Sequence, residues 1–388
     1  MRGLAQGIAA IAAGAIAVGL AGADAGAAMR VVDVPGVSGR SVTIVAAGRL
    51  ADGGAIVAGT LTPRGRRRSR IVVVRLRHDG LVDSSFGDGG VVTAQLARGG
   101  GSSGSRATSV AVDPARGRSW IGVAIGGGDV GAVLALDGRG RRVRGFGSSG
   151  VVRLHGDATA PAAIAVAAGR LAVAATRSPC RGCQVLLLDA SSGARRAQVA
   201  LAPVAGADPA RCPQAALDSL AFAGADRLAL GGSGGSCPAH LVVRDGALRP
   251  VADLDPGEQP QRIVVAAGGP PLDLCAGIER DGATRLVRFG VAGASTLPAR
   301  TWTPVAGTIA GVVPLGARAC GALLLRAGGP ARVLQVAIGD AEPSLTDVPA
   351  GLRAGAIYRC KRHVLVVGTR RSGGVDRASV AVSAITRS

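Results

Sequence analysis

The segment Phe86-Gly87-Asp88-Gly89-Gly90-Val91-Val92 returns sixty residues later as Phe146-Gly147-Ser148-Ser149-Gly150-Val151-Val152, and Leu76 and Gly80 recur as Leu136 and Gly140. A fixed step of this size marks stacked units, each unable to bury its apolar face alone. A chain of this kind grows by adding units, so its 388 residues need not divide into several ordinary domains.

Short apolar runs alternate with Gly, Pro and Asp turns along the chain. Examples are Ile71-Val72-Val73-Val74, Val185-Leu186-Leu187-Leu188 and His363-Val364-Leu365-Val366-Val367. Their lengths suit strands, and continuous apolarity requires cover on both faces. Helices usually provide it, but no helical-period segment of ten or more residues separates the runs. The 62 glycines also disfavour long helices, at about 1 kcal/mol for each interior glycine relative to alanine. Sheets must therefore cover sheets. Grouping the runs predicts units near residues 41–93, 107–154, 160–202, 215–254, 261–303, 309–348 and 354–386. The expected fold is an all-β, seven-bladed β-propeller. The last unit has only three obvious strands, and Arg30-Val31-Val32-Asp33-Val34 is expected to supply its fourth, closing the ring and removing exposed edges. A transmembrane barrel would need alternating strands and aromatic girdles, and the chain has only 4 Phe, 2 Trp and 1 Tyr. Tandem sandwiches fit the sixty-residue step less well.

Residues Val72 to Val92 combine an apolar strand with Arg75-Leu76, an Asp79-Gly80 turn, Asp83-Ser84-Ser85-Phe86-Gly87, and Gly90-Val91-Val92. This pattern closely resembles the delta-60 repeat of bacterial exported proteins. The resemblance implies a β-propeller-like fold and assigns no catalytic activity to the repeat. It is specific over residues 72–92 and degraded over 132–152, where Arg139 and Val143 replace Asp79 and Asp83. Beyond about residue 160 only the strand rhythm continues. The repeat residues Asp79, Gly80, Asp83, Phe86, Gly87, Gly90, Phe146, Gly147 and Gly150 read as structural. Asp79-Gly80 suits a hairpin turn, and Phe86 is large enough to fill a gap between blades.

Several segments mimic chemical motifs. Gly145 to Gly150 matches G-x-G-x-x-G, but a strand follows it where a dinucleotide site needs a helix N-terminus. Gly231-Gly232-Ser233-Gly234-Gly235 matches G-x-S-x-G and leads into a loop rather than a helix, although His240 is near in sequence. Cys180-Arg181-Gly182-Cys183 precedes a strand, which favours a small structural disulfide over a redox or zinc pair. The histidines His78, His155, His240 and His363 fall in different units, so no metal site is expected. Asp218, Asp226, Asp253 and Asp273 are candidates to converge on a channel mouth. No catalytic residue and no cofactor is assigned.

Arg2, the apolar stretch Ile8 to Leu20 and small residues near Ala23 to Ala28 read as a secretory signal over residues 1–28, with residues 29–388 as the mature domain. An uncleaved anchor is the alternative. Seven cysteines after such a signal imply an oxidising compartment. The pairings expected from spacing are Cys180 with Cys183, Cys212 with Cys237, and Cys320 with Cys360, leaving Cys275 a buried thiol.

The net charge of +20 is almost entirely arginine, with Lys361 the only lysine. GC-rich coding would produce part of this bias. Arg64, Arg66, Arg67, Arg68 and Arg70 form a dense run suited to a polyanion. Without interleaved aromatics, it does not suit base stacking on single-stranded nucleic acid. The expected function is that of a secreted, monomeric, non-catalytic binding or scaffolding module. Its partner would be a protein or an anionic cell-envelope polymer. A propeller hydrolase or lyase acting in the central channel is the alternative.

Overall fold

The structure is a computed structural model. It describes residues 30–33, 41–62, 68–97, 104–126, 130–154, 160–175, 183–201, 216–233, 239, 241–254, 261–267, 273–292, 295–297, 304–315, 319–337, 343–360, 363–372 and 375–384. All regular elements among these are strands. They form seven antiparallel meanders arranged as the blades of a β-propeller. Blade 1 shows the pattern, with strands Ser41–Arg49, Ala55–Thr62, Arg70–Leu76 and Val91–Ala94 in sequential order. Blades 4 and 5 are also joined by the backbone pair Ser233–Arg262.

The innermost strands are Ser41–Arg49, Ser105–Asp113, Pro161–Ala167, Ala216–Ala223, Arg262–Ala267, Thr308–Pro314 and Leu352–Cys360. Each packs beside the next around the central axis, and the last packs beside the first. The strand Arg30–Asp33 pairs antiparallel with the third strand Val375–Ala384 of blade 7, with Arg30 opposite Val382 and Asp33 opposite Ser379. That gives blade 7 its fourth strand. Because every blade is a meander, its first-to-second and third-to-fourth turns lie on one face of the ring, called here the upper face. The remaining connections lie on the lower face.

The core consists of seven apolar layers, one at each interface between neighbouring blades. Side chains alternate across a strand, so one strand serves two layers. Val72 and Val74 pack toward blade 7, whereas Ile71 and Val73 pack toward blade 2. This is why the runs are continuously apolar. Phe86 and Phe146 are wholly buried in successive layers, between blades 1 and 2 and between blades 2 and 3.

The same alternation corrects the expected cysteine pairing. Cys275 is not a free thiol; it is bonded to Cys320, with Cα atoms 5.9 Å apart. Cys320, Ala322 and Leu324 face blade 5, whereas Leu323 faces blade 7. Parity therefore aims Cys320 at Cys275 and away from Cys360, which lies in the inner strand of blade 7. Cys180, Cys212 and Cys237 lie outside the described residues, as does the expected signal segment. Cys183 opens the strand Cys183–Asp189.

Candidate binding surfaces

The repeat residues form a structural joint. At the end of the third strand of blade 1, the Arg75 guanidinium engages three groups. Nη2 lies 2.9 Å from Asp52 Oδ2, Nε lies 3.0 Å from Asp83 Oδ2, and Nη1 donates to Gly138 O of blade 2 at 2.9 Å. Asp83 also accepts from the Ser85 amide and hydroxyl. The Ser85 hydroxyl is the main cause holding the Asp83 carboxyl below its ordinary value, against the opposing effect of burial. Burial alone would raise Asp79, but the Arg77 hydrogen bond and the Leu81 amide draw it down. Gly80, Gly87 and Gly90 have φ of 82°, 59° and 95°, values that favour glycine. The Gly87 amide donates to Arg139 O at 2.9 Å, so this loop clasps the next blade.

Blade 2 repeats the frame and discards its ion pair. Gly147 donates to Ser192 O of blade 3 at 2.8 Å, as Gly87 does to Arg139. Ala135 and Val143 stand where blade 1 has Arg75 and Asp83, and they pack apolar against apolar. The two polar partners were exchanged together, which avoids leaving one of them alone.

The channel wall has a second recurring device. In blades 1, 2, 3, 4, 6 and 7 the inner strand shifts register against its neighbour, skipping Val45, Thr108, Ala162, Asp218, Ala310 and Gly355 respectively. Each shift is a β-bulge. It frees the preceding amide to face the blade before. The Ile44 amide meets Thr369 Oγ1 at 3.4 Å, Ala107 meets Thr60 Oγ1 at 3.2 Å, and Ile309 meets Glu279 Oε2 at 3.3 Å. In blade 3 the same position is Pro161, which has no amide hydrogen, and the residue in blade 2 that would accept is Ala124.

On the lower mouth, Arg262 lies 3.2 Å from Asp218 Oδ2 and donates to Ile309 O at 2.7 Å. These polar groups tie blades 4, 5 and 6 together. The candidate aspartates do not converge there. Asp226 lies in an upper-face turn beside Arg170, Asp253 is in the outer strand of blade 4 and Asp273 begins the second strand of blade 5. Strand direction separates them. Among the described residues, no three His, Cys, Asp or Glu side chains form a metal-binding group. Gly231-Gly232-Ser233 belongs to a strand, and a Cβ on Gly231 would press on Ile263 O at 2.7 Å. Close packing explains that glycine. His78 and His363 sit in blades 1 and 7, and His155 and His240 lie outside the described residues.

Of the predicted polyanion run, Arg64, Arg66 and Arg67 lie outside the described residues. Arg68 and Arg70 stand at the lower end of blade 1, where its third strand begins. A second cationic segment, not singled out from the sequence, lies on the upper face: Arg139, Arg141, Arg142 and Arg144, all exposed, in the third-to-fourth turn of blade 2. Its signal was present as four arginines in six residues, hidden because the segment reads as a degraded repeat turn.

Among the described residues, no helix is long and apolar enough to cross a membrane. No family model and no curated protein sequence matches the chain. Solved structures do. The β-propeller domain of Cps50 (Swd1) from Myceliophteria thermophila aligns with 92% of this chain and 100% of its own, at 14% identity and a TM-score of 0.57. The β-propeller domain of the Trilobed protease from Pyrococcus furiosus, described as having an open velcro topology, aligns over 89% and 96%, at 6% identity and a TM-score of 0.54. A protein of unknown function from Dyadobacter fermentans aligns over 92% and 100%, at 12% identity and a TM-score of 0.51. At these identities the likeness concerns fold alone, and the fold is that of a seven-bladed β-propeller.

Proposed function

We propose that the chain is an exported, non-catalytic binding or scaffolding module whose first ligand class is an anionic polymer of the cell envelope. Propeller blades supply a rigid frame, and recognition falls to the connections at their ends. The observation that carries the reading is where the charged groups are engaged. Asp218, Arg262 and Glu279 at the channel are tied into contacts between blades, whereas arginines gather in surface connections. The repeat's resemblance to exported proteins and the buried Cys275–Cys320 bond agree with an oxidising compartment. The test is binding of heparin and of teichoic acid to the full chain across a salt series. Affinity is expected to fall steeply with salt and to weaken when Arg66, Arg67 and Arg68 become Ala. Binding indifferent to salt would discard the anionic ligand.

A further inference from the structure

We propose that the upper-face turn at residues 137–145 of blade 2 is a docking site for a linear polymer bearing phosphate groups and no bases. The proposal rests on the reading of the chain as an anion-binding propeller, and it assigns that role to a particular surface.

The repeat itself isolates the feature. Blade 1 builds the same turn on the same backbone pattern: Arg77 donates its amide to Leu81 O as Asp137 does to Arg141 O, and Gly80 returns to Arg77 O as Gly140 does to Asp137 O. The residues that serve the fold recur in both blades, namely Gly80 and Gly140, Phe86 and Phe146, and Gly87 and Gly147. The intervening positions, exposed at Asp79, Leu81 and Ser84 and half-buried at Val82 and Asp83, do not recur. Asp79, Leu81, Val82 and Ser84 become Arg139, Arg141, Arg142 and Arg144, and Asp83 becomes Val143. Asp137 in turn stands where blade 1 has Arg77, so residues 137–145 hold four arginines and one aspartate where residues 77–85 hold one arginine and two aspartates. No requirement of the turn accounts for this, because blade 1 makes the turn without the four arginines.

The arginines are held on a stiff support. The Asp137 carboxylate accepts the amides of Arg139 and Arg141 at 2.9 and 2.8 Å, which uses its Oδ1 for the backbone. Arg75 and Gly87 of blade 1 grip Gly138 O and Arg139 O from the side. Among the described residues no ion pair involves any of the four arginines. A preformed cationic turn loses little freedom on binding. Guanidinium groups form paired hydrogen bonds with phosphate oxygens. The exposed Ser148 and Ser149 stand beside it as further donors. Among the described aromatic side chains none offers a platform for bases, since Trp120, Phe86, Phe146, Phe222 and Tyr358 are all buried.

The experiment measures binding of inorganic polyphosphate to the full chain. It compares a variant with Arg139, Arg141, Arg142 and Arg144 changed to Ser and another with Arg66, Arg67 and Arg68 changed to Ala. Loss of the four contacts is expected to weaken binding by about tenfold or more. It should also reduce the slope of log K against log salt by about 3, at about 0.7 per contact for a flexible strand. The Asp137 bonds are to amides, so the Ser variant keeps its fold; a milder Arg141→Ser, Arg144→Ser variant should show about half the change in slope. Unchanged affinity in the Ser variants overturns the proposal, and if the loss appears in the Ala variant instead, the broader anion-binding reading stands without this site. Tighter binding to single-stranded DNA of equal phosphate number overturns the choice of polymer. No binding to polyphosphate, heparin or teichoic acid overturns both readings.

Discussion

Thr369 of blade 7 and Ile44 of blade 1 are 325 residues apart in the chain, and the hydroxyl of one accepts the buried amide of the other at 3.4 Å. The same hydroxyl donates to Val42 O at 3.0 Å, so one side chain bridges two backbone groups across the seam where the ring meets itself. Thr60 repeats the acceptor role between blades 1 and 2.

Changing Thr369 to Val keeps the shape and removes the acceptor. The buried Ile44 amide is then left unpaired, at a cost of about 1–3 kcal/mol. Urea denaturation should show a lower midpoint, and Thr60→Val should behave alike. A neutral effect at both sites would mean that the bulged amides find other partners.

Pro161 and Ala124 make the reciprocal case. Pro161→Ala restores an amide that faces a blade with no acceptor, which should destabilise the protein by about 1–3 kcal/mol. Ala124→Thr supplies the missing hydroxyl, so the double variant should be more stable than Pro161→Ala alone. Strict additivity in a double-mutant cycle would refute the coupling.

Arg75 and Asp83 are each about 20% exposed on the side chain, and their ion pair is one arm of a wider network. Asp83→Val alone removes one partner of Arg75 and should cost about 1 kcal/mol or more. Adding Arg75→Ala reproduces the Ala135–Val143 pair of blade 2 and should recover part of that loss in thermal melts.

Acid stability should depend on the serines that hold these turns. Ser85 holds the Asp83 carboxyl low, and the Ser191 hydroxyl, followed by the Ser192 amide, does so for Asp189. A carboxyl depressed by folding contributes stability above its unfolded pKa of about 3.9, and this is lost as pH falls through the folded value. Ser85→Ala and Ser191→Ala should therefore lower stability in full at neutral pH, and the deficit against the unaltered protein should shrink as the pH falls through the folded pKa, as urea midpoints across a pH series would show.

Cys275→Ala and Cys320→Ala should each lower stability by about 2–4 kcal/mol, and the double variant should be no worse than either. Peptide mapping without reductant should recover the two cysteines in one linked fragment. A Cys320–Cys360 fragment would contradict the strand parity described above.

The apolar runs and their turns were enough to read an all-β ring of seven units, because burial on both faces leaves no alternation for a one-sided sheet. The sixty-residue echo likewise marked Phe86 and Phe146 as gap-filling residues. Which cysteine meets which, however, depends on the face each side chain takes, and an unbroken apolar run such as Leu274 to Gly277 conceals that parity. The bulge bridges were hidden for a related reason: Thr369 and Ile44 become neighbours only when the circle closes. The arginines of blade 2 were visible as letters. Only the superposition of two turns on one backbone separated the residues that fold the turn from those it presents to solvent. Local composition determined that the strands form and need cover; the relative placement of blades decided which polar groups are satisfied and which charges remain outward.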